Sequence, residues 1–219
     1  QAVFAVDWYY ACKEILTPAV LTPPAAEDAA EREGEQASAM QIIPSGPAFK
    51  GEPNLRAFIH MISSARTHVS ITSPYFIPDE ALMTALTNAA LSGVEVELFV
   101  SEQFDQFLVG HAQRSYYGPL LKAGVRIHLY HKPRMLHSKY MIVDGSLCII
   151  GSSNMDVRSF DLNYEIVLVA DSSRLVEMMH GNDDRTREKS RELTYEEWRA
   201  LPWHVHYIDN VCRLGSSLL

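Results

Sequence analysis

The chain has 219 residues, 47% of them hydrophobic and 21% charged, enough for one sizeable core or for one domain and a fragment of another. Its 19 basic and 27 acidic side chains leave a net charge of −8, which argues against a protein whose main work is gripping a nucleic-acid backbone, because that work calls for a basic face. About half of the acidic excess is local, with five acids and one arginine between Glu27 and Glu35, so a basic pocket elsewhere is compatible with the total.

Phe4, Trp8, Cys12 and Ile15 recur at helical spacing, and the first sixteen residues read as an amphipathic helix. Residues 17–38, rich in Pro, Ala and acids, read as a linker. Met40 to Ile43 reads as a short strand stopped by Pro44-Ser45-Gly46-Pro47. Leu55, Phe58, Ile59 and Ile62 mark a helix, His68 to Thr72 a strand. Leu82, Ala85, Leu86 and Ala89 mark a further helix, introduced by Pro78 and ended at Gly93. Val94, Val96, Leu98 and Val100 alternate with Glu95 and Glu97, which predicts a strand with one wet face. A helix from about Gln106 is expected to break or kink at Gly118-Pro119, and Val125 to Tyr130 is again a strand. Three closely spaced strands follow, Lys139 to Val143, Leu147 to Ile150 and Tyr164 to Ala170, and then a polar, helical tail from Ser172 to Leu219. Helices alternating with strands predict an α/β fold, a mixed sheet flanked by helices.

Cys12, Cys148 and Cys212 lie far apart without C-x-x-C spacing. They predict neither a disulfide framework nor a zinc cluster, and a reducing compartment is the default. No apolar run reaches the roughly eighteen residues that read as a bilayer span. The chain opens on Gln1 with neither an initiator Met nor a signal-peptide pattern, and is read as a piece of something longer.

The chemistry concentrates in His137-Ser138-Lys139, Asp144 and Gly151-Ser152-Ser153-Asn154. On extended backbone, side chains at i and i+2 share a face, so His137 and Lys139 project together and set an imidazole beside a cation. Lys139, Ser152 and Asn154 are donors suited to the oxygens of a phosphate. The imidazole is the group that attacks phosphorus or carries a proton near neutral pH, and the like charge of Lys139 favours its neutral form. Glu165, on the next strand, is expected to hold the outer ring nitrogen of His137 in the manner of the third member of a catalytic triad. Asp144 stands with the motif in the candidate catalytic set; strand alternation turns it away from His137, and it reads first as a structural hydrogen-bond acceptor.

H-x-K-x4-D-x6-G-S-x-N is the signature of the phospholipase D superfamily, and every specified position is met here. The flanks Ser73-Pro74-Tyr75-Phe76-Ile77-Pro78, Ser115-Tyr116-Tyr117, Leu120 to Val125, Asp156-x-Arg158-Ser159-Phe160 and Leu162-Asn163-Tyr164-Glu165 resemble the C-terminal half of bacterial cardiolipin synthases, as do Asp7-Trp8, Ile43 to Pro47 and Arg213-Leu214-x-x-x-Leu218-Leu219. The resemblance implies a pseudo-twofold enzyme in which two such motifs face each other. One histidine becomes a phosphohistidine while the other protonates the leaving group, with no metal or other cofactor. It implies transfer of a phosphatidyl group from one phosphatidylglycerol to another. It further implies a missing first half that carries the other motif, and a bacterial cytoplasmic membrane reached through upstream segments, with the catalytic part facing the cytoplasm. No nucleic-acid partner is expected. On this reading residues 1–16 are the last helix of the first half, 17–38 an acidic linker, and 39–219 the C-terminal catalytic domain. His137 is the acid/base or the nucleophile, Lys139, Ser152 and Asn154 bind phosphate, and Glu165 orients the ring. Only one H-x-K motif is present, so the chain alone is expected to hold half a site.

Two other readings stand beside it. One is a one-motif phosphodiesterase or endonuclease of the same superfamily that completes its site by homodimerisation. The other is a catalytically silent half that binds anionic head groups. Tyr75, Phe76, Tyr116 and Tyr117 read as core or pocket wall, and His128-x-x-His131 lacks the partners of a metal site.

Overall fold

A computed structural model describes residues 2–16 and 38–216. The expected linker lies almost wholly outside these residues, as does Leu218-Leu219. The chain divides into a unit of residues 1–38 and a unit of residues 39–219.

In the first unit the helix α1 (Ala2–Cys12) ends earlier than the spacing predicts. Phe4, Trp8, Tyr9 and Tyr10 are exposed. Lys13 lies 5.5 Å from the ring centre of Tyr9 and 5.6 Å from that of Tyr10, and Trp8 Nε1 donates to Glu14 at 3.2 Å.

The second unit is built on a mixed sheet of eight strands among the described residues: β1 (Ala39–Ser45), β2 (His68–Thr72), β4 (Glu95–Ser101), β5 (Arg126–Tyr130), β6 (Tyr140–Val143), β7 (Leu147–Gly151), β9 (Glu165–Asp171) and β10 (Ser190–Leu193). Their spatial order is β1-β9-β7-β6-β2-β4-β5-β10. The pairs β2–β4 and β4–β5 are parallel and the rest antiparallel. A separate parallel pair joins β3 (Phe76–Ile77) to β8 (Met155–Asp156). The helices are α2 (Pro53–Ser64), α3 (Glu80–Leu91), α4 (Phe107–Ala123), α5 (Ser173–Arg187), α6 (Tyr195–Arg199) and α7 (Trp203–Arg213), with a π-helical turn at Arg158–Leu162.

Alternation along the strands divides the core. Val69, Ile71, Val96, Leu98, Ile127, Met141, Val143, Ile149 and Val167 pack on one face with Leu55, Phe58, Leu82, Leu86, Tyr116 and Leu120 of α2, α3 and α4. On the other face Tyr140, Ile142, Cys148 and Ala170 pack with Val176 and Met179 of α5. The parallel centre arises because β2, β4 and β5 are separated by α3 and α4, long enough to return the chain to the same end.

Four expectations need correction. β1 continues through Pro44, which pairs with Ile166; an edge strand tolerates a residue with no N–H to donate. α4 runs on through Pro119 where a break was one of the two expected outcomes, and Gly118 beside it packs on the Trp198 ring, where a Cβ would collide. The tail contains β10, whose sequence shows no apolar alternation because it is a polar edge, joined to its neighbours by Arg191–Glu102 at 2.8 Å and Arg126–Glu192 at 2.9 Å. The wet face assigned to β4 is wrong at Glu97, which is only 2% exposed. Burial works against its charge, but hydrogen bonds from His128 (2.9 Å), His68 (3.3 Å) and Arg187 (2.7 Å) hold its carboxyl far below the usual range. The same contact with Glu97 raises the pKa of His68.

Candidate active site

The start of β6 lies beside the end of β2, with Tyr140 opposite Thr72, and beside the end of β7, with Tyr140 opposite Ile150. Leu136, just ahead of the motif, is pinned at the end of β4: its N–H donates to Ser101 Oγ at 2.9 Å. His137 and Lys139 therefore emerge where β2, β4 and β7 end and β6 begins, on irregular backbone rather than in a strand. They nevertheless meet, with Lys139 Nζ 3.5 Å from His137 Nδ1 and 3.0 Å from the His137 carbonyl oxygen. Lys139 falls two residues before Met141 and four before Val143 of the core, and so shares their side, the one covered by α2, α3 and α4.

Gly151, next across the sheet, donates its N–H to the Lys139 carbonyl at 3.3 Å and pairs with Val167. A Cβ here would collide with the Ile166 carbonyl oxygen and the Val167 backbone, which is the physical reason for glycine at the head of the Gly-Ser-x-Asn turn. Beyond it Glu165 opens β9 on the same face, about two strand spacings or roughly 10 Å from Lys139. Burial lowers the pKa of Lys139, and the carboxylates of Glu165 and Asp156 oppose that shift.

Ser152 is engaged with β9: its hydroxyl accepts the Ile166 N–H at 3.0 Å. The turn is anchored from below, where Asn54 donates to Ser153 Oγ at 2.9 Å and Ser73 Oγ accepts the Met155 N–H at 3.1 Å. Asn154 Oδ1 is buried without a hydrogen-bond partner among the described residues.

The expected bond from Glu165 to His137 is not formed among the described residues; the Glu165 carboxylate instead takes a long contact from Asn163 Nδ2 at 3.4 Å and lies in the field of Lys139. Asp144, placed with the catalytic set by its motif position, is remote from the imidazole. It closes the far end of β6, five residues or about 16 Å from Lys139. There it accepts the N–H groups of Arg66, Thr67 and His68 at 3.1, 2.9 and 3.0 Å and the Thr67 hydroxyl at 2.8 Å. Burial works against its charge, but these donors hold its carboxyl below the usual range. Its geometry is that of the structural acceptor.

Sequence reasoning missed Asp156 as chemistry. It is 5% exposed on β8, accepts the Ser159 N–H at 2.6 Å, and is pushed up by burial against the hydrogen bonds of Ser159. The available signal was an acid two residues past the motif asparagine. Tyr75, also beside Asp156, is pushed up to about 12 by burial and by its bond to Asp105. Gln113 fixes the neighbouring Phe76 N–H at 2.8 Å and donates to Tyr117 at 2.7 Å, which places these aromatics in the wall. His128 is spent on Glu97.

A family model described as cardiolipin synthase, PLD-like domain, matches residues 58–183, the stretch that contains every one of these groups except Asn54. The chain belongs to this phospholipase D-like family. Cardiolipin synthase of Halalkalibacterium halodurans is 39% identical over 220 aligned residues, which cover 100% of this chain and 42% of that relative. The chain thus spans less than half the length of such relatives. Among solved structures, phosphatidylserine synthase of Haemophilus influenzae superposes with a TM-score of 0.69 at 16% identity, covering 85% of this chain and 49% of that one. Nuc of Salmonella typhimurium, a phospholipase D family member, superposes with a TM-score of 0.61 at 20% identity, covering 72% of this chain and 99% of that one. At such identities the likeness shows the fold, which is the mixed α/β sheet expected from the sequence.

Proposed function

We propose that this chain supplies one motif-bearing half of a phosphatidyl transferase that makes cardiolipin from phosphatidylglycerol at a bacterial membrane, the other half carrying a second histidine. The observation that carries the reading is the contact of the Lys139 ammonium with His137, in a chain of the cardiolipin synthase family. Displacement at phosphorus needs a nucleophile on one side and a proton donor to the leaving oxygen on the other. One imidazole cannot stand on both sides. Nδ1 of His137 faces a cation, so its lone pair points there and the neutral ring carries its proton on Nε2. The outer nitrogen of such a ring has no free lone pair to attack phosphorus, which favours His137 as the acid/base, donating to the leaving oxygen as the protonated ring, with the phosphohistidine forming on the partner half. Lys139 neutralises the phosphate, with Ser152 and Asn154 as further ligands, and Glu165 steadies Lys139 rather than the ring.

Support for the second half comes from the sheet itself. Met40, Ile42, Ile150 and Ile166 are exposed on the face that α5 only partly covers, and register sets Ile42, Leu168 and Ile150 in one row across β1, β9 and β7. A contiguous apolar patch of this kind marks an interaction surface. On this proposal, residues 2–16 belong to the other half and residues 39–219 form the catalytic domain.

The test is cardiolipin formation from phosphatidylglycerol by the natural protein that carries this chain. His137→Ala is expected to lower turnover by at least the roughly 10²–10⁴-fold typical of an acid–base group, and near-normal turnover in a folded variant refutes the role. The 219-residue chain alone is expected to be silent. Robust turnover by it that vanishes on dilution would establish the homodimeric reading instead.

A further inference from the structure

The segments that leave the sheet beside the motif carry exposed groups that neither the core nor the site uses. β4 and β5 are parallel, with Ser101 opposite Tyr130, so the chain leaves both strands at the end of the sheet where His137 emerges. After β4 it runs through residues 102–106 into α4, whose first two residues, Phe107 and Leu108, are 67% and 54% exposed. After β5 it forms the loop His131-Lys132-Pro133-Arg134, exposed throughout. The two segments meet where His131 Nδ1 lies 3.9 Å from Glu102. The acids on the first of them are engaged, Glu102 with Arg191 at 2.8 Å and Asp105 with the Tyr75 hydroxyl at 2.9 Å. Lys132 and Arg134 add two positive charges to the end of the sheet that holds Lys139, in a chain of net charge −8.

α7 adjoins this rim. Its inward face carries the buried Asp209, bonded to His111 at 2.6 Å and to Arg114 at 2.8 Å. Its outward face carries Trp203, Tyr207 and Val211 at successive turns, all exposed. An ion pair turned inward and apolar groups turned outward reverse the pattern of a helix that faces water. The ring of Phe107 lies 4.2 Å from that of His111, so the tip of α4 and α7 are packed together through His111.

We propose that the tip of α4, the 131–134 loop and the outward face of α7 form a docking surface for an anionic phospholipid bilayer, which sets the His137 end of the domain against the lipid. Three observations select a bilayer over a protein partner. Trp203 and Tyr207 join apolar bodies to polar tips, the side chains that settle at the level of lipid head groups, and they do so on a helix with one apolar outer face. Lys132 and Arg134 beside an apolar rim complement an anionic surface, where each such charge strengthens binding about fivefold. The rim also stands at the end of the sheet from which His137 and Lys139 emerge. On the functional reading above, which this inference deepens, a bilayer docked there presents phospholipid head groups to the motif.

The test is flotation of the 219-residue chain with vesicles of phosphatidylcholine, alone or mixed equally with phosphatidylglycerol. Wild type is expected to bind the mixed vesicles more tightly than the neutral ones, and less tightly as salt is raised. Phe107→Ser with Leu108→Ser, and Trp203→Ser with Tyr207→Ser, are each expected to weaken binding at least about tenfold. Lys132→Ala with Arg134→Ala is expected to weaken it about 25-fold and to flatten the salt dependence. Met40→Ser with Ile42→Ser, on the sheet face assigned to the other half, is expected to leave binding unchanged. These side chains are exposed, and circular dichroism checks that each variant is folded. Three results overturn the inference: no binding to the mixed vesicles, binding that survives all three pairs of substitutions and so belongs to another surface such as α1, or a homodimer in light scattering that the Trp203 pair dissociates while no vesicle is bound. Vesicle binding is read without turnover. Intact binding with no cardiolipin formation by the natural protein refutes the functional reading alone, and transfer from detergent-dispersed phosphatidylglycerol with no vesicle binding refutes the docking surface alone.

Discussion

Replacing Asp144 with alanine separates a structural from a chemical role for the motif's carboxylate. The substitution removes four hydrogen bonds, from the N–H groups of Arg66, Thr67 and His68 and from the Thr67 hydroxyl. Such bonds contribute roughly 0.5–1.5 kcal/mol each, and the freed donors near the surface regain water, so the lower part of that range applies and the sum is about 2–4 kcal/mol. Asp144 also adopts a left-handed backbone, φ 53°, which aspartate tolerates better than alanine, and this adds up to about 1 kcal/mol. A total near 3 kcal/mol lowers the melting temperature of a domain of this size by roughly 6–12 °C. Asp144→Asn keeps the shape and the backbone preference and loses only the charge, so about half the loss is expected of it. The pH dependence has a definite sign. The folded pKa lies below the unfolded one, so the carboxylate's contribution is fully present above about pH 4 and is lost as pH falls through the folded pKa. Urea unfolding monitored by circular dichroism between neutral and acid pH measures both effects. A variant with unchanged unfolding free energy but lost phosphodiester binding would refute the structural assignment, because a group about 16 Å from Lys139 cannot touch the phosphate.

Three further outcomes are expected. Gly151→Ala drives a methyl into the Ile166 carbonyl and the Val167 backbone and costs about 1–3 kcal/mol, read as a lower thermal midpoint. Glu97→Gln takes the counter-charge from Arg187 and an acceptor oxygen from the buried ring of His128 and costs about 1–3 kcal/mol. Wild-type stability contributed by Glu97 holds above the unfolded carboxylate pKa of about 4 and falls away in acid, a slope that Glu97→Gln should flatten in pH-dependent denaturation. Phosphatidyl transfer by the natural protein should survive EDTA, since Lys139 and polar donors match the phosphate charge; complete, metal-reversible loss would require a different site.

The helix-strand order, the identity of the motif and the meeting of His137 with Lys139 were legible in the sequence, because each depends on local spacing. Apolar residues at helical or alternating periods reveal which face is buried, and residues two apart on extended backbone share a side. Even Asp144 was legible as a structural acceptor, since alternation turned it away from the histidine. Groups joined across the fold were not legible. Glu97 looked like a surface charge until α5 laid Arg187 over it, and β10 looked like part of a helical tail until β5 offered it an edge.

The same distinction runs through the site. Composition, spacing and the motif determined that this chain carries a neighbouring histidine and lysine on a mixed α/β sheet. Only the tertiary structure decided that Glu165 makes no hydrogen bond to the imidazole among the described residues, that Asp156 is buried beneath the site, and that Gly151 must lack a side chain. Those outcomes depend on separations of a few ångströms between segments ten to a hundred residues apart. A change of that size alters a Coulomb interaction or closes a van der Waals gap, whereas local periodicity carries no information about it.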